Sequence, residues 1–203
     1  MKFNKWYLII ALGLGGLIYV SIPEKRVMVP LQDADSLQVV KDRTQKDIDF
    51  AQADNSPIKD KATFKHLSYF PYSKQYRINF TVERAAEIKK VSMKMNDGTE
   101  EENILFGKIK GKIHGQAIEL TLYQHENGDF FLPFKDKTAP TETYGGGRFL
   151  DLPLTNVKNN RLRVDFNLAY NPYCAYNEDF ACPIPPAENT LPIRIEAGEK
   201  LFN

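Results

Sequence analysis

The sequence predicts a mainly β protein: an antiparallel barrel or sandwich with one N-terminal amphipathic helix, preceded by a single transmembrane helix. Three observations carry this expectation. From Tyr76 onward apolar residues recur in short runs of period two, the spacing of half-buried strands. Asp97-Gly98 and Asn127-Gly128 interrupt these runs, and such dipeptides are what a tight hairpin turn demands. The first long apolar run, near the N-terminus, carries no charge, and only Leu37 to Ala51 beyond it repeats at helical spacing. A length of 203 residues allows one domain, or one domain with an appendage.

Trp6 to Ile22 reads WYLIIALGLGGLIYVSI, long enough as a helix to cover roughly 25 Å, at the short end of a bilayer span. Lys2 and Lys5 precede it, Trp6, Tyr7 and Tyr19 lie near its ends, and Pro23 stops it before Glu24, Lys25 and Arg26. A cleaved signal peptide is the rival reading. Against it, the run exceeds a usual signal core and Val20-Ser21-Ile22 is a poor cleavage site. The expected organisation is a signal anchor over residues 1–26, a linker over 27–34 and a single all-β domain over 35–203. The expected location is a single-pass membrane protein with an extracytoplasmic body, periplasmic or at the cell surface.

Asp35, with Gln38 three residues on, resembles a capping-box start. Leu37, Val40, Thr44, Ile48 and Ala51 predict the buried face of a helix from about Asp35 to Ala53, which Asn55-Ser56-Pro57 ends. Tyr76, Ile78, Phe80 and Val82 then share one strand face, and Val91, Met93 and Met95 another. Further strands are expected over Leu105 to His114, Ala117 to Gln124, Asp129 to Phe134, Phe149 to Leu152, Leu162 to Phe166 and Leu191 to Ile195, with Gly115-Gln116 closing one turn.

Composition excludes several classes. Lys and Arg number 27 against 26 Asp and Glu, so no bulk basic character points to nucleic acid. Two cysteines and three scattered histidines make neither a disulfide scaffold nor a zinc motif, and no cofactor motif is present.

The C-terminal third is chemically dense. YGGGRFLDLP at Tyr144 to Pro153, VDFNLAYNPYCAYNEDFACPIPPAEN at Val164 to Asn189 and LPIRIEAGEK at Leu191 to Lys200 resemble a prokaryotic family known as domain of unknown function 1684. SPI at Ser56 to Ile58 and FKHLSYFPYSKQYRI at Phe64 to Ile78 are similar to its N-terminal portion, so the resemblance covers about Asp42 to Lys200. It implies no particular activity, and the anchor looks like an addition to the family core. It also implies the same two cysteines in members without an export signal.

Candidate ligand-binding residues are Tyr144, Gly145, Gly146, Gly147, Arg148, Asp165, Asn167, Tyr170, Asn171, Tyr176, Glu188 and Asn189. Three glycines can present N–H groups to an anion or carbonyl, or can simply make a flexible turn. Arg148 can grip a carboxylate in two-point fashion, or pair with Asp151 or Asp165. The polar loop can line a pocket or can satisfy its own backbone. Cys174 and Cys182, with seven residues between them, can form a disulfide, remain structural thiols, or serve metal binding or catalysis.

The leading expectation is a membrane-anchored domain that binds a small molecule or peptide between Tyr144–Asp151 and Asp165–Asn189. One alternative is a hydrolase with Glu188 or Asp165 as general base, and the Gly145–Gly147 amides with Arg148 holding negative charge. Another is a structural or assembly role in the envelope.

Overall fold

A computed structural model describes residues 8–12, 16–20 and 34–202. The chain divides into two compact units, Met1–Asp33 and Ala34–Asn203. Within the first, Leu8–Leu12 (β1) and Gly16–Val20 (β2) pair antiparallel, Leu8 opposite Val20. The apolar helix expected over residues 6–22 is therefore not found in these stretches. The rest of that span, and the linker up to Asp33, lie outside the described residues. Among the described residues no helix is long and apolar enough to cross a membrane.

The second unit opens with α1 (Ala34–Gln52) and continues into a seven-stranded antiparallel sheet. Its strands are β3 (Arg77–Lys94), β4 (Glu100–Ile113), β5 (Gln116–Gln124), β6 (Phe130–Phe134), β7 (Arg148–Leu152), β8 (Val157–Lys158) and β9 (Arg161–Asp165). Their order is β7-β6-β5-β4-β3-β9-β8. The edges β7 and β8 do not meet, so the expected barrel is not closed, and one sheet stands in place of a sandwich. Closure is unnecessary because the irregular C-terminal segment covers what a returning strand would have covered. Phe166, Ala169, Leu191, Ile195 and Ala197 pack into the same buried cluster as Phe80, Ile109 and Leu132. Phe149 of edge strand β7 also exchanges backbone hydrogen bonds with Tyr170 at 2.9 and 3.0 Å.

The hairpins follow their turn residues. Gly98 at φ +87° and Gly128 at φ +93° take the left-handed region in the two expected turns. Between β4 and β5 the turn is His114-Gly115, both at positive φ, one residue earlier than expected. Asn159-Asn160, both at positive φ, close a β8–β9 hairpin that the hydrophobic pattern did not announce. β3 runs as one long strand through an irregularity between Arg84 and Lys89, where two strands were expected.

Two expectations are corrected. Leu191 to Ile195 is not a strand: Leu191 N–H donates to the Lys135 carbonyl and Ile195 N–H to the Asp136 side chain, so no ladder forms. The face of α1 turned to the body is also not the predicted one. Leu37, Val40 and Ile48 are exposed at 44%, 48% and 42%, while Val39 and Phe50 are buried and Arg43 and Lys46 partly so. The covered stripe is Ser36, Val39, Arg43, Lys46 and Phe50, again at three- and four-residue steps. The body there presents carbonyls and a carboxylate, which long cationic side chains can satisfy while covering apolar surface with their stems.

Candidate functional site

Arg148 opens β7 and is 1% exposed. Its guanidinium donates to Asp136 Oδ2 at 2.7 Å and to the carbonyls of Ile195 (2.9 Å), Glu199 (3.1 Å) and Ala197. Three alternate carbonyls of one extended segment thus converge on one planar fork. The other Asp136 oxygen accepts from Thr138 N–H (2.8 Å), the Thr138 hydroxyl (2.7 Å) and Ile195 N–H (3.1 Å). Burial lowers the Arg148 guanidinium pKa, and the Asp136 charge opposes that. Arg148 therefore pins the C-terminal segment to the sheet edge instead of facing a ligand. Its ion-pair partner is Asp136, and neither Asp151 nor Asp165.

The asparagines act similarly. Asn189 Oδ1 accepts from Thr121 N–H at 2.7 Å, while its amide donates to the carbonyls of Thr121 (2.9 Å) and Pro133 (2.7 Å). Asn167 is caught between Ser73 N–H, the Ser73 carbonyl and Asp165 Oδ1, at 2.7 to 2.9 Å. Asp165 also faces Arg77 Nε at 3.2 Å. Glu199, 1% exposed, accepts from Lys46 Nζ (2.7 Å), Asn171 N–H (3.2 Å), the Asn171 amide (3.3 Å) and the Tyr176 hydroxyl. Burial pushes the Glu199 carboxyl upward and the Lys46 charge draws it back. These residues hold a segment without a ladder, as buried backbone requires.

The main cavity lies between α1 and that segment. It encloses about 720 Å³. Of the candidates, Tyr170 and Asn167 line it, together with Asp151, and the opposite wall is α1 with Arg43, Lys46, Asp49 and Phe50. Its aromatic surface has two parts. Phe149 stacks edge-on against Tyr170 at 6.0 Å, and Phe50 contacts Tyr173 at 6.0 Å in the same manner; Phe50 also meets Tyr176, outside the lining, at 5.1 Å. Between them, Lys46 Nζ lies over the rings of Phe50, Tyr170 and Tyr176 at 4.9, 5.1 and 5.8 Å. Arg43 donates to the Phe70 and Asn167 carbonyls at 3.0 and 3.1 Å. The rim is acidic. Asp42 and Asp49 are exposed and accept from Gln38 and Gln45 at 2.8 Å, neutral partners that leave the carboxylate charge in place. Asp151 accepts from the Tyr170 hydroxyl at 2.6 Å. Burial, with Asp151 behind it, raises the Tyr170 hydroxyl pKa.

The remaining candidates lie elsewhere. Glu188 is exposed and lines a second cavity of about 480 Å³ with Arg84, Gly107 and Tyr123. Gly145, Gly146 and Gly147 let their loop pack against Pro140, the Tyr144 ring, and Phe134 with Pro185. The glycines, Arg148, Asp165 and Glu188 do not converge, so the hydrolase arrangement has no common centre. Cys174 and Cys182 are buried free thiols; Cys174 N–H donates to Cys182 Sγ at 3.2 Å, and the Tyr144 hydroxyl to Cys174 Sγ at 3.6 Å. No group of three His, Cys, Asp or Glu that could hold a metal is gathered among the described residues. Sequence reasoning missed Arg43, Lys46 and Phe50; their shared helical stripe was the available signal, hidden because two of its members are charged.

The family described as Protein of unknown function (DUF1684) matches residues 62–200. Among solved structures, the solution NMR structure of an uncharacterised protein from Haloarcula marismortui is similar at 32% identity and a TM-score of 0.64. That likeness covers 81% of this chain and 92% of the other. No curated protein matches.

Proposed function

We infer that this chain, which belongs to the DUF1684 family of proteins of unknown function, is a binding domain for a small organic cation with an apolar body. The observation that carries this reading is the cavity of about 720 Å³ between α1 and the C-terminal segment, aromatic within and acidic at its rim. Small-molecule sites typically enclose ~300–1,000 Å³ with an apolar lining and a few placed polar groups. Its lining carries four carboxylates, Asp42, Asp49, Asp151 and Glu199, against two cations, Arg43 and Lys46, of which Lys46 is paired with Glu199. The rim carboxylates of Asp42, Asp49 and Asp151 therefore set the sign of the field.

The test compares two probes with the same phenyl body and opposite charge, 2-phenylethylammonium and 3-phenylpropionate. The amine is expected to raise the melting temperature in proportion to occupancy, and Asp49→Asn with Asp151→Asn to abolish the rise. Equal stabilisation by the carboxylate, or none by either, contradicts the reading. The charge-free run from Trp6 to Ile22 supports a membrane tether by its composition alone, its described stretches being paired strands. Extraction of the full chain from membranes by alkaline carbonate alone would oppose that tether.

A further inference from the structure

We propose that Cys174 and Cys182 form a reversible dithiol–disulfide site, oxidised by a small hydroperoxide, with Cys182 in the wall of the main cavity. The pair is built in advance. Cys174 N–H donates to Cys182 Sγ at 3.2 Å, which places the second sulfur over the backbone of the first residue. The loop between them is held by its own bonds: Asn177 N–H reaches the Tyr173 carbonyl at 3.0 Å, and Phe180 N–H the Asn177 carbonyl at 3.2 Å. Its far end is fixed to the β3–β4 turn, where Cys182 N–H donates to Asn96 Oδ1 at 2.7 Å and Asn96 N–H returns to the Cys182 carbonyl at 3.0 Å. Both cysteines are thus positioned without a covalent link, the Cys182 sulfur already at the backbone of Cys174.

The two sulfurs are not equivalent. The Tyr144 hydroxyl donates to Cys174 Sγ at 3.6 Å, a contact that favours negative charge on that sulfur. Consistently, the Cys174 thiol is drawn down to about 7, first by its hydrogen bond with Cys182, whereas the same contact and burial push Cys182 upward. Cys174 is the attacking thiolate and Cys182 the resolving thiol. Cys182 lines the cavity and Cys174, 8% exposed, does not, so a small oxidant reaches the Cys174 sulfur past Cys182.

The chemistry balances. The Cys174 thiolate attacks the terminal hydroxyl oxygen of the hydroperoxide; the O–O bond breaks, and the alkoxide leaves as the alcohol by taking from water the proton that Cys174 had released, giving Cys174 sulfenic acid. Cys182 sulfur then attacks Cys174 sulfur; the S–S bond forms, the S–O bond breaks, and water leaves with the Cys182 proton. The two thiols lose two electrons in total and the peroxide gains them. Thiol–disulfide exchange with a small dithiol restores the reduced pair.

The experiment treats the reduced full chain with equimolar tert-butyl hydroperoxide at neutral pH and follows intact mass and free thiols. The expected result is loss of two hydrogens and both thiols, reversed by dithiothreitol. Cys182→Ser should instead accumulate a dimedone-reactive sulfenic acid at Cys174, and Cys174→Ser should react about tenfold more slowly than wild type, because the remaining thiol is largely protonated. Far-UV circular dichroism checks that both variants fold. Wild-type protein that keeps both thiols, or that gains oxygen without losing hydrogens, overturns the proposal. So does a Cys174→Ser variant that reacts as fast as wild type.

Discussion

Replacing Arg148 by Ala removes the clamp between the C-terminal segment and the sheet, and the size of the loss follows from its contacts. Asp136, 1% exposed at its side chain, would keep a buried charge without its cation. Removing one partner of a buried ion pair costs about 3–5 kcal/mol. The carbonyls of Ile195, Ala197 and Glu199 would lose a donor each, at roughly 1 kcal/mol or more per orphaned group. These costs are not additive, so a loss of about 5 kcal/mol is expected, a large part of the ~5–15 kcal/mol that holds a typical domain together. Arg148→Lys keeps the charge but loses the planar fork, and should cost about 2–3 kcal/mol. Urea unfolding followed by circular dichroism measures both, and Arg148→Lys supplies the reading if Arg148→Ala does not fold. Either variant within ~1 kcal/mol of wild type at an unchanged m-value would refute the structural assignment of Arg148.

Gly147→Ala should destabilise by about 2–4 kcal/mol in the same assay, because Gly147 holds φ +95° and a Cβ there would lie 2.7 Å from the Phe134 carbonyl oxygen and from Pro185 Cγ. The reduced protein should become more stable as pH rises from about 7 towards 9: the Cys174 thiol, depressed from 9.0 to about 7 in the fold, contributes stability that is lost as pH falls through about 7. Denaturation under reductant at both ends of that window reads the slope, and Cys174→Ser should flatten it. Closing the disulfide should raise stability by up to ~2.5 kcal/mol, measured as the difference in urea midpoint between oxidised and reduced wild type.

The legible parts of the fold were those whose residues leave a local mark. Asp97-Gly98 and Asn127-Gly128 announce their turns because few residues accept positive φ. Phe80 and Val82 announce a strand because one face is buried, although Tyr76, expected in it, lies in the 3-10 turn that precedes it. Other parts depend on partners distant in sequence. Leu191 to Ile195 has a strand's apolar alternation, yet its backbone is divided among Lys135, Lys137, Asp136 and Arg148, so it pairs with no single strand. The face of α1 was misread because periodicity counts Arg43 and Lys46 as polar, although they carry the helix's contact with Asn167 and Glu199. The C-terminal motif was visible as a dense polar set, but the same residue types serve a pocket or a self-satisfied loop. Arg148 and Asn189 bond the backbone, Asn167 does so while also lining the cavity, and Tyr170 and Asp151 face the cavity with α1.

The central claim is that the space between α1 and the C-terminal segment receives an organic cation. Titrating isotopically labelled protein with 2-phenylethylammonium and recording amide NMR shifts tests it most directly. Saturable shifts confined to the amides around Phe50, Tyr170 and Asp151, absent with 3-phenylpropionate, are the predicted result. Shifts that are unsaturable, scattered over the sheet, or the same for both probes would contradict it.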